Sequence, residues 1–247
     1  MKIIACYSNK GGVGKTASSV NVAYGLAKAG QRVLLCDLDP QGASGFYFRV
    51  KPSKKLTDDR FFTDVKRFTG AIRGSDFDNL DILPANMTFR DFDVFLSRMK
   101  NSRSRLKKAL KGVDSDYDVV LLDCPPNIST LSENIFRSAD AILVPVIPTT
   151  LSERTFEQLL EFFAEQDLPQ KKIMGFFSMV QGTKKLHAET MEGMRKAYPK
   201  RLLDVAIPFS TEVEKMGVHR APVATFARSG AAAKAYDALC QTVRKRL

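Results

Sequence analysis

Short apolar runs recur along the chain at residues 2–7, 32–36, 80–83, 118–122, 141–147, 173–179 and 203–207. Most are continuous rather than alternating, the pattern of strands buried on both faces. The segments between them mostly carry apolar residues at helical spacing, which predicts helices over about 15–29, 88–98, 102–111, 129–138, 152–166, 184–197 and 231–246. Alternating strands and helices predict an α/β fold, a single doubly wound and mostly parallel sheet flanked by helices. Residues 49–80 break the alternation with Pro52, Gly70, Gly74 and many charges, and read as a surface excursion between the second and third strands. No stretch reads as a linker, so residues 1–247 are expected to form one domain. No extension before the first strand could hold a helix-turn-helix module.

The most specific local signal lies where the first strand gives way to the first helix: Asn9-Lys10-Gly11-Gly12-Val13-Gly14-Lys15-Thr16. The phosphate-loop pattern is GxxxxGK[ST], with Asn9 here in place of its first glycine. Gly11, Gly12 and Gly14 let backbone amides close on phosphate oxygens, the helix that follows presents its positive end, and Lys15 brings a point charge. The Thr16 hydroxyl is suited to magnesium. Two later strands run into acids: Val33 to Asp37 continues through Leu38-Asp39-Pro40-Gln41-Gly42, and Val119 to Leu122 ends at Asp123. Tips of parallel strands are where such folds hold ligands, and alternation points Asp37 and Asp39 to the same side. Asp123 supplies the oxygen that a hard cation between phosphates needs.

Residues 10–16 resemble the deviant Walker A motif of the ParA and MinD family of P-loop ATPases, and the DLDPQG and DCPP segments around Asp39 and Asp123 are similar to that family's. The resemblance spans nearly the whole chain, including Val144-Pro145-Val146-Ile147-Pro148 and Ile207-Pro208-Phe209, and is closest to small ParA-type proteins without an N-terminal helix-turn-helix. It implies that Gly11, Gly12, Val13, Gly14, Lys15, Thr16 and Ala17 hold ATP, that Thr16, Asp37 and Asp123 serve Mg2+, and that Asp39 positions the attacking water. Lys10 would reach across an ATP-sandwiched homodimer to the partner's nucleotide, and Lys10, Lys15 and Asp39 are then the catalytic set. Pro208 and Phe209 fall near adenine. Two departures stand out: Ala17 replaces a frequent second threonine, and Phe209 a frequent polar residue.

Charge bears on what such a switch acts upon. Lys and Arg number 38 against 27 Asp and Glu, for a formal charge of +11, which suits nucleic acid, an acidic membrane surface or an acidic partner. Within the resembled family, ParA-type proteins bind DNA without sequence preference and are released by an adaptor that stimulates hydrolysis. MinD-like ones use a C-terminal amphipathic helix on membranes. Here Tyr236, Leu239, Val243 and Leu247 lack the bulk of a lipid-inserting face and are expected to dock the last helix on the domain. That leaves Arg228, Lys234, Arg244, Lys245 and Arg246 as candidates for DNA backbone contacts in a cytoplasmic, nucleoid-associated protein. A second basic run, with Arg98, Lys100, Arg103, Arg105, Lys107, Lys108 and Lys111, reads as a solvated helix face, and no aromatic residues interleave it. Cys6, Cys36, Cys124 and Cys240 show no paired spacing, and His187 and His219 read as surface or packing residues, which argues against zinc, an iron–sulfur cluster or a disulfide framework. A small-molecule ligase on the same scaffold finds no substrate signature.

Overall fold

The computed structural model describes residues 1–247. Eight strands form one sheet: β1 (Lys2–Cys6), β2 (Val33–Asp37), β3 (Arg73–Gly74), β4 (Leu80–Leu83), β5 (Val119–Asp123), β6 (Ala141–Val146), β7 (Ile173–Val180) and β8 (Leu202–Pro208). Their order is β3-β4-β2-β5-β1-β6-β7-β8, parallel throughout except for the β3–β4 pair at one edge. After β1 the chain builds β2 to β5 on one side, and from Ala141 onward it builds β6 to β8 on the other. The C-terminal tip of β1 therefore opens on a topological switch point, the crevice where such sheets bind ligands.

Every residue of β2, β5 and β6 is buried, as continuous apolar runs require. Alternate side chains feed two cores, one on each face of the sheet. The first holds Leu34, Val120, Leu122, Phe136 and Phe163; the second holds Ile4, Leu35, Leu121, Leu26 and Leu239. Five helices of nine or more residues cover these faces: α1 (Lys15–Lys28), α2 (Thr130–Ser138), α3 (Thr150–Glu165), α4 (Lys185–Ala197) and α5 (Ala231–Arg246). The predicted helix over 102–111 is reduced to Arg105–Leu110, and that over 88–98 begins as a 3-10 turn with an α-helix only over Phe92–Arg98.

The segment 49–80 is more than a surface excursion. It contains the short helices Asp58–Thr63 and Val65–Thr69 as well as β3, and it buries Leu56, Phe61, Phe62 and Phe68 in the first core. Phe61 lies edge-on or tilted to Phe62, Phe68, Phe89 and Phe92 with ring centroids 4.9–5.4 Å apart. The intervening Lys, Arg and Asp residues break helical periodicity over such short elements, so this aromatic anchor leaves no periodic trace in the sequence.

In the second core α5 packs directly on α1. Gly25 is the point of closest approach: a Cβ there would lie 2.4 Å from Cys240 Sγ. Gly25→Ala is expected to destabilise the fold by about 1–3 kcal/mol through overpacking. Cys240→Ala in the same chain should recover part of that loss, read from denaturant midpoints. Strictly additive effects would contradict the contact.

Candidate functional site

The loop after β1 is set by two glycines in the left-handed region, Gly12 at φ 71° and Gly14 at φ 90°, a conformation that side-chain-bearing residues avoid. A Cβ on Gly11 or Gly12 would meet nothing within 4 Å, so their backbone faces open space and leaves room for phosphate to approach. Gly14 is tighter, 3.0 Å from Ser178 Oγ at its would-be Cβ, and Ser178 Oγ donates to Val13 O at 2.9 Å, so β7 pins the loop from behind. α1 starts at Lys15 with no side-chain cap and no acid in its first turn, which leaves its positive end free for an anion.

Both lysines of the loop are held within the chain. Lys15 Nζ donates to Lys10 O at 3.1 Å, and Lys10 Nζ donates to Ser152 Oγ at 3.1 Å, on the first turn of α3. Ser152 also bonds the Thr149 hydroxyl at 3.0 Å. Lys10 thus sits at the mouth of the loop, beside the tip of β6.

Below the loop, β2 and β5 pair in register so that Asp37 lies opposite Asp123, with Cys6 of β1 on the other side of Asp123. Both carboxylates are buried. Asp123 accepts from Ser19 Oγ at 3.0 Å and from Ser44 Oγ at 2.8 Å. Burial pushes it up to about 6, while the hydroxyls of Ser44, Thr16 and Ser19 hold it down. Asp37 is raised well above the ordinary range, first by burial and then by the charge of Asp123. Its oxygens accept the amides of Asp39 at 3.1 Å and Ser44 at 2.9 Å, so it staples the 38–44 loop to the sheet.

That staple corrects one expectation. β2 stops at Asp37, and the Asp39 amide turns back onto the Asp37 carboxylate, so strand alternation does not govern where Asp39 points. Asp39 is half-buried in the loop, its own carboxylate accepting the Gln41 amide at 3.0 Å. Ser19 and Ser44 are the residues that reading the sequence missed. Nothing but their nearness to the two motifs could have flagged them.

No three His, Cys, Asp or Glu side chains converge anywhere as a ready metal site. The donor set that does converge is one dry carboxylate with Thr16, Ser19 and Ser44 hydroxyls. Those are oxygens without a neutralising cation, and they fit a hard divalent ion completed by phosphate. Beside α1 a cavity of about 60 Å3 is lined by Gly14, Ala17, Met179, Pro208, Phe209 and Tyr236 among others. The Ala17 methyl therefore faces the same hollow as Pro208 and Phe209.

The basic candidates fall on two places. Arg228 and Lys234 share a groove of about 180 Å3 with Lys28, which the sequence did not connect to them. Arg244, Lys245 and Arg246 are exposed at the far end of α5, about 15 Å along the helix from Lys234. Tyr236, Leu239 and Val243 are buried against the second core, as expected. His187 is buried and its Nδ1 accepts the Gln181 amide, His219 stacks on Phe226, and all four cysteines are buried and free.

The sequence matches the AAA domain family over residues 1–174. It is 29% identical over 255 aligned positions to the sporulation initiation inhibitor protein Soj of Bacillus subtilis, covering 98% of both chains. It is 31% identical to the cell division protein PomZ of Myxococcus xanthus, covering 96% of this chain and 76% of that one. Among solved structures, cobyrinic acid a,c-diamide synthase of Mycobacterium smegmatis, with a bound ATP analog and magnesium, superposes with a TM-score of 0.82 at 25% identity, covering 99% of this chain and 95% of that one. The sheet order, the glycine loop with its two lysines, and matches running the length of the chain agree: the protein belongs to the ParA/MinD family of P-loop ATPases within the AAA-domain group.

Proposed function

We propose that this chain is a ParA-type ATPase that forms an ATP-sandwiched homodimer, binds DNA without sequence preference, and is released when an adaptor protein stimulates hydrolysis, so that a plasmid, chromosome or protein cargo is positioned. The observation that carries the reading is where the exposed apolar side chains lie. Of the nine large apolar side chains that are exposed, Phe46, Met87, Ile128, Leu151, Leu186, Phe209 and Val218, between 45% and 80% exposed, lie within about ten residues after the end of a parallel strand, and Val65 and Val94 lie elsewhere. All strands except β3 point the same way, so the former surround the rim on which the phosphate loop opens. A polar rim would do for a monomeric site, whereas apolar residues beside Lys10 suit a surface that a second copy covers.

Within that dimer the chain's own groups divide the work. The glycine loop and the α1 amides bind phosphate, and Lys15 leaves Lys10 O to carry charge to the transferring group. Asp39, at the end of the loop stapled by Asp37, orients water. Lys10, released from Ser152, completes the partner's site. Thr16 and Asp123 would hold Mg2+, which would supply neutralisation of phosphate charge.

A DNA-binding surface is favoured over a membrane one because the apolar face of α5 is already used in the second core, leaving its basic end free. No helix is long and apolar enough to cross a membrane.

The direct test is retardation of duplex DNA with ATP, with ADP and without nucleotide, across a salt series. Retention should be strongest with ATP and should fall steeply with salt. Equal retention in all three states, or vesicle binding that exceeds DNA binding, would sink the reading. Asp39→Ala should accumulate an ATP-bound dimer that turns over at least tenfold more slowly, and Lys15→Ala should lose nucleotide binding. Asp123→Asn separates stability from function. An acid raised to about 6 from 3.8 favours the fold below about pH 4 and loses that contribution as pH rises through 6. At pH 7.5 its buried charge therefore works against the fold. The nucleotide-free Asn variant should melt higher at that pH while losing magnesium-dependent nucleotide binding. A lower melting temperature would contradict the uncompensated charge.

A further inference from the structure

The basic run at residues 98–111 takes no part in the nucleotide site, and no acid interrupts it. In the fold it passes from the helix Phe92–Arg98 to the helix Arg105–Leu110, and the latter buries Leu106, Ala109 and Leu110 in the first core. Turning those residues inward leaves Lys107, Lys108 and Lys111 exposed, with Lys107 and Lys111 a turn apart on one face.

A second group of cations, far off in sequence, meets them. Lys172 Nζ donates to Phe136 O at 3.2 Å, over the C-terminal end of α2. Its ammonium is held below the ordinary lysine range by burial, and Lys107, Arg137 and Lys171 push it the same way against Asp140. Asp140 also accepts the Ile3 amide at 2.8 Å. Arg137 Nε is buried with no acceptor at all. Cations thus crowd from three segments around little acid, and one guanidinium nitrogen lacks a partner.

The place is defined by topology. Lys111 lies shortly before β5, Arg137 shortly before β6, and Lys171 and Lys172 directly before β7. All therefore sit near the N-terminal ends of strands, at the opposite end of the sheet from the phosphate loop. Their helices pack on the first core, while α5 packs on the second, so the two basic surfaces lie on opposite faces.

We propose that Lys107, Lys108, Lys111 and Lys171, backed by Arg137, form a second surface for the phosphate backbone of duplex DNA, separate from α5 and insensitive to the bound nucleotide. The inference shares the DNA partner of the proposed function but gives it a different surface. Duplex DNA fits because residues 98–111 carry seven cations and no acid, so the surface stays positive beside the exposed Asp114, Asp116, Asp140 and the single apolar Val65, and the run holds no aromatic ring to stack on unpaired bases. The nucleotide-insensitive part of DNA affinity belongs to this surface, and the ATP-induced gain belongs to the dimer and α5.

Retardation of a mixed-sequence duplex, without nucleotide and with ATP and Mg2+, over about 50 to 200 mM salt separates the two. In the full-length chain, the variant Lys107→Gln/Lys108→Gln/Lys111→Gln should weaken nucleotide-free binding at least fivefold and make the salt dependence shallower, by about one in slope for each phosphate that is no longer neutralised. Its ATP-induced gain and its ATPase rate should be unchanged. Lys171→Gln, on a separate segment, should shift nucleotide-free binding in the same direction by a smaller factor. Arg244→Gln/Arg246→Gln should reduce only the ATP-induced gain. Wild-type affinity and slope in the triple variant would overturn the second surface while leaving the ATP-dependent reading intact. Absence of any ATP-induced gain in the wild type, with the triple variant still weakened, would overturn that reading and leave the surface standing. If the triple variant loses only binding to phosphatidylserine vesicles, DNA is the wrong ligand and the proposal fails.

Discussion

The constraint on which the site rests is a pair of buried acids at adjacent strand tips without a cation to answer them. Asp37 and Asp123 lie opposite each other in the β2–β5 register, and their partners are two backbone amides and two hydroxyls. A domain selected for stability alone would have no use for such charge at the centre of its sheet. The two acids carry different tasks. Asp37 commits its oxygens to the loop that presents Asp39, and Asp123 keeps a hydroxyl-lined carboxylate beneath the glycine loop.

Much of this was legible in the sequence. Continuous apolar runs marked the interior strands because burial on both faces leaves no polar positions, and the glycines of the phosphate loop were readable because glycine adopts the positive φ of Gly12 and Gly14 without strain. Three things were not. The helices over 58–69 are too short and too charged to show a period, so the segment that carries the Phe61 cluster read as a surface excursion. Ser19 and Ser44 gain meaning only when two strand ends bring Asp123 between them. Lys28 joins Arg228 and Lys234 only because α1 and α5 lie side by side, through the gap left by Gly25.

The fold also keeps its tasks apart. Nucleotide and the apolar rim share the C-terminal edge of the sheet, one basic surface runs along α5 on the second core, and another lies toward the opposite edge on the first. Lys10 connects the rim to the loop. Its bond to Ser152 keeps the ammonium within the single chain, so in the proposed dimer Lys10 would exchange a neutral hydroxyl partner for a phosphate one, an exchange that would favour the dimer only with ATP.

The most direct measurement of that account is the mass of the protein in solution by sedimentation equilibrium, with Mg2+ and either ADP or a non-hydrolysable ATP analogue, for the wild type and for Lys10→Ala. The account predicts a dimer for the wild type with the ATP analogue, a monomer with ADP, and a monomer for Lys10→Ala in both. A wild-type chain that stays monomeric with the ATP analogue, or a Lys10→Ala chain that dimerises as well as the wild type, would contradict it.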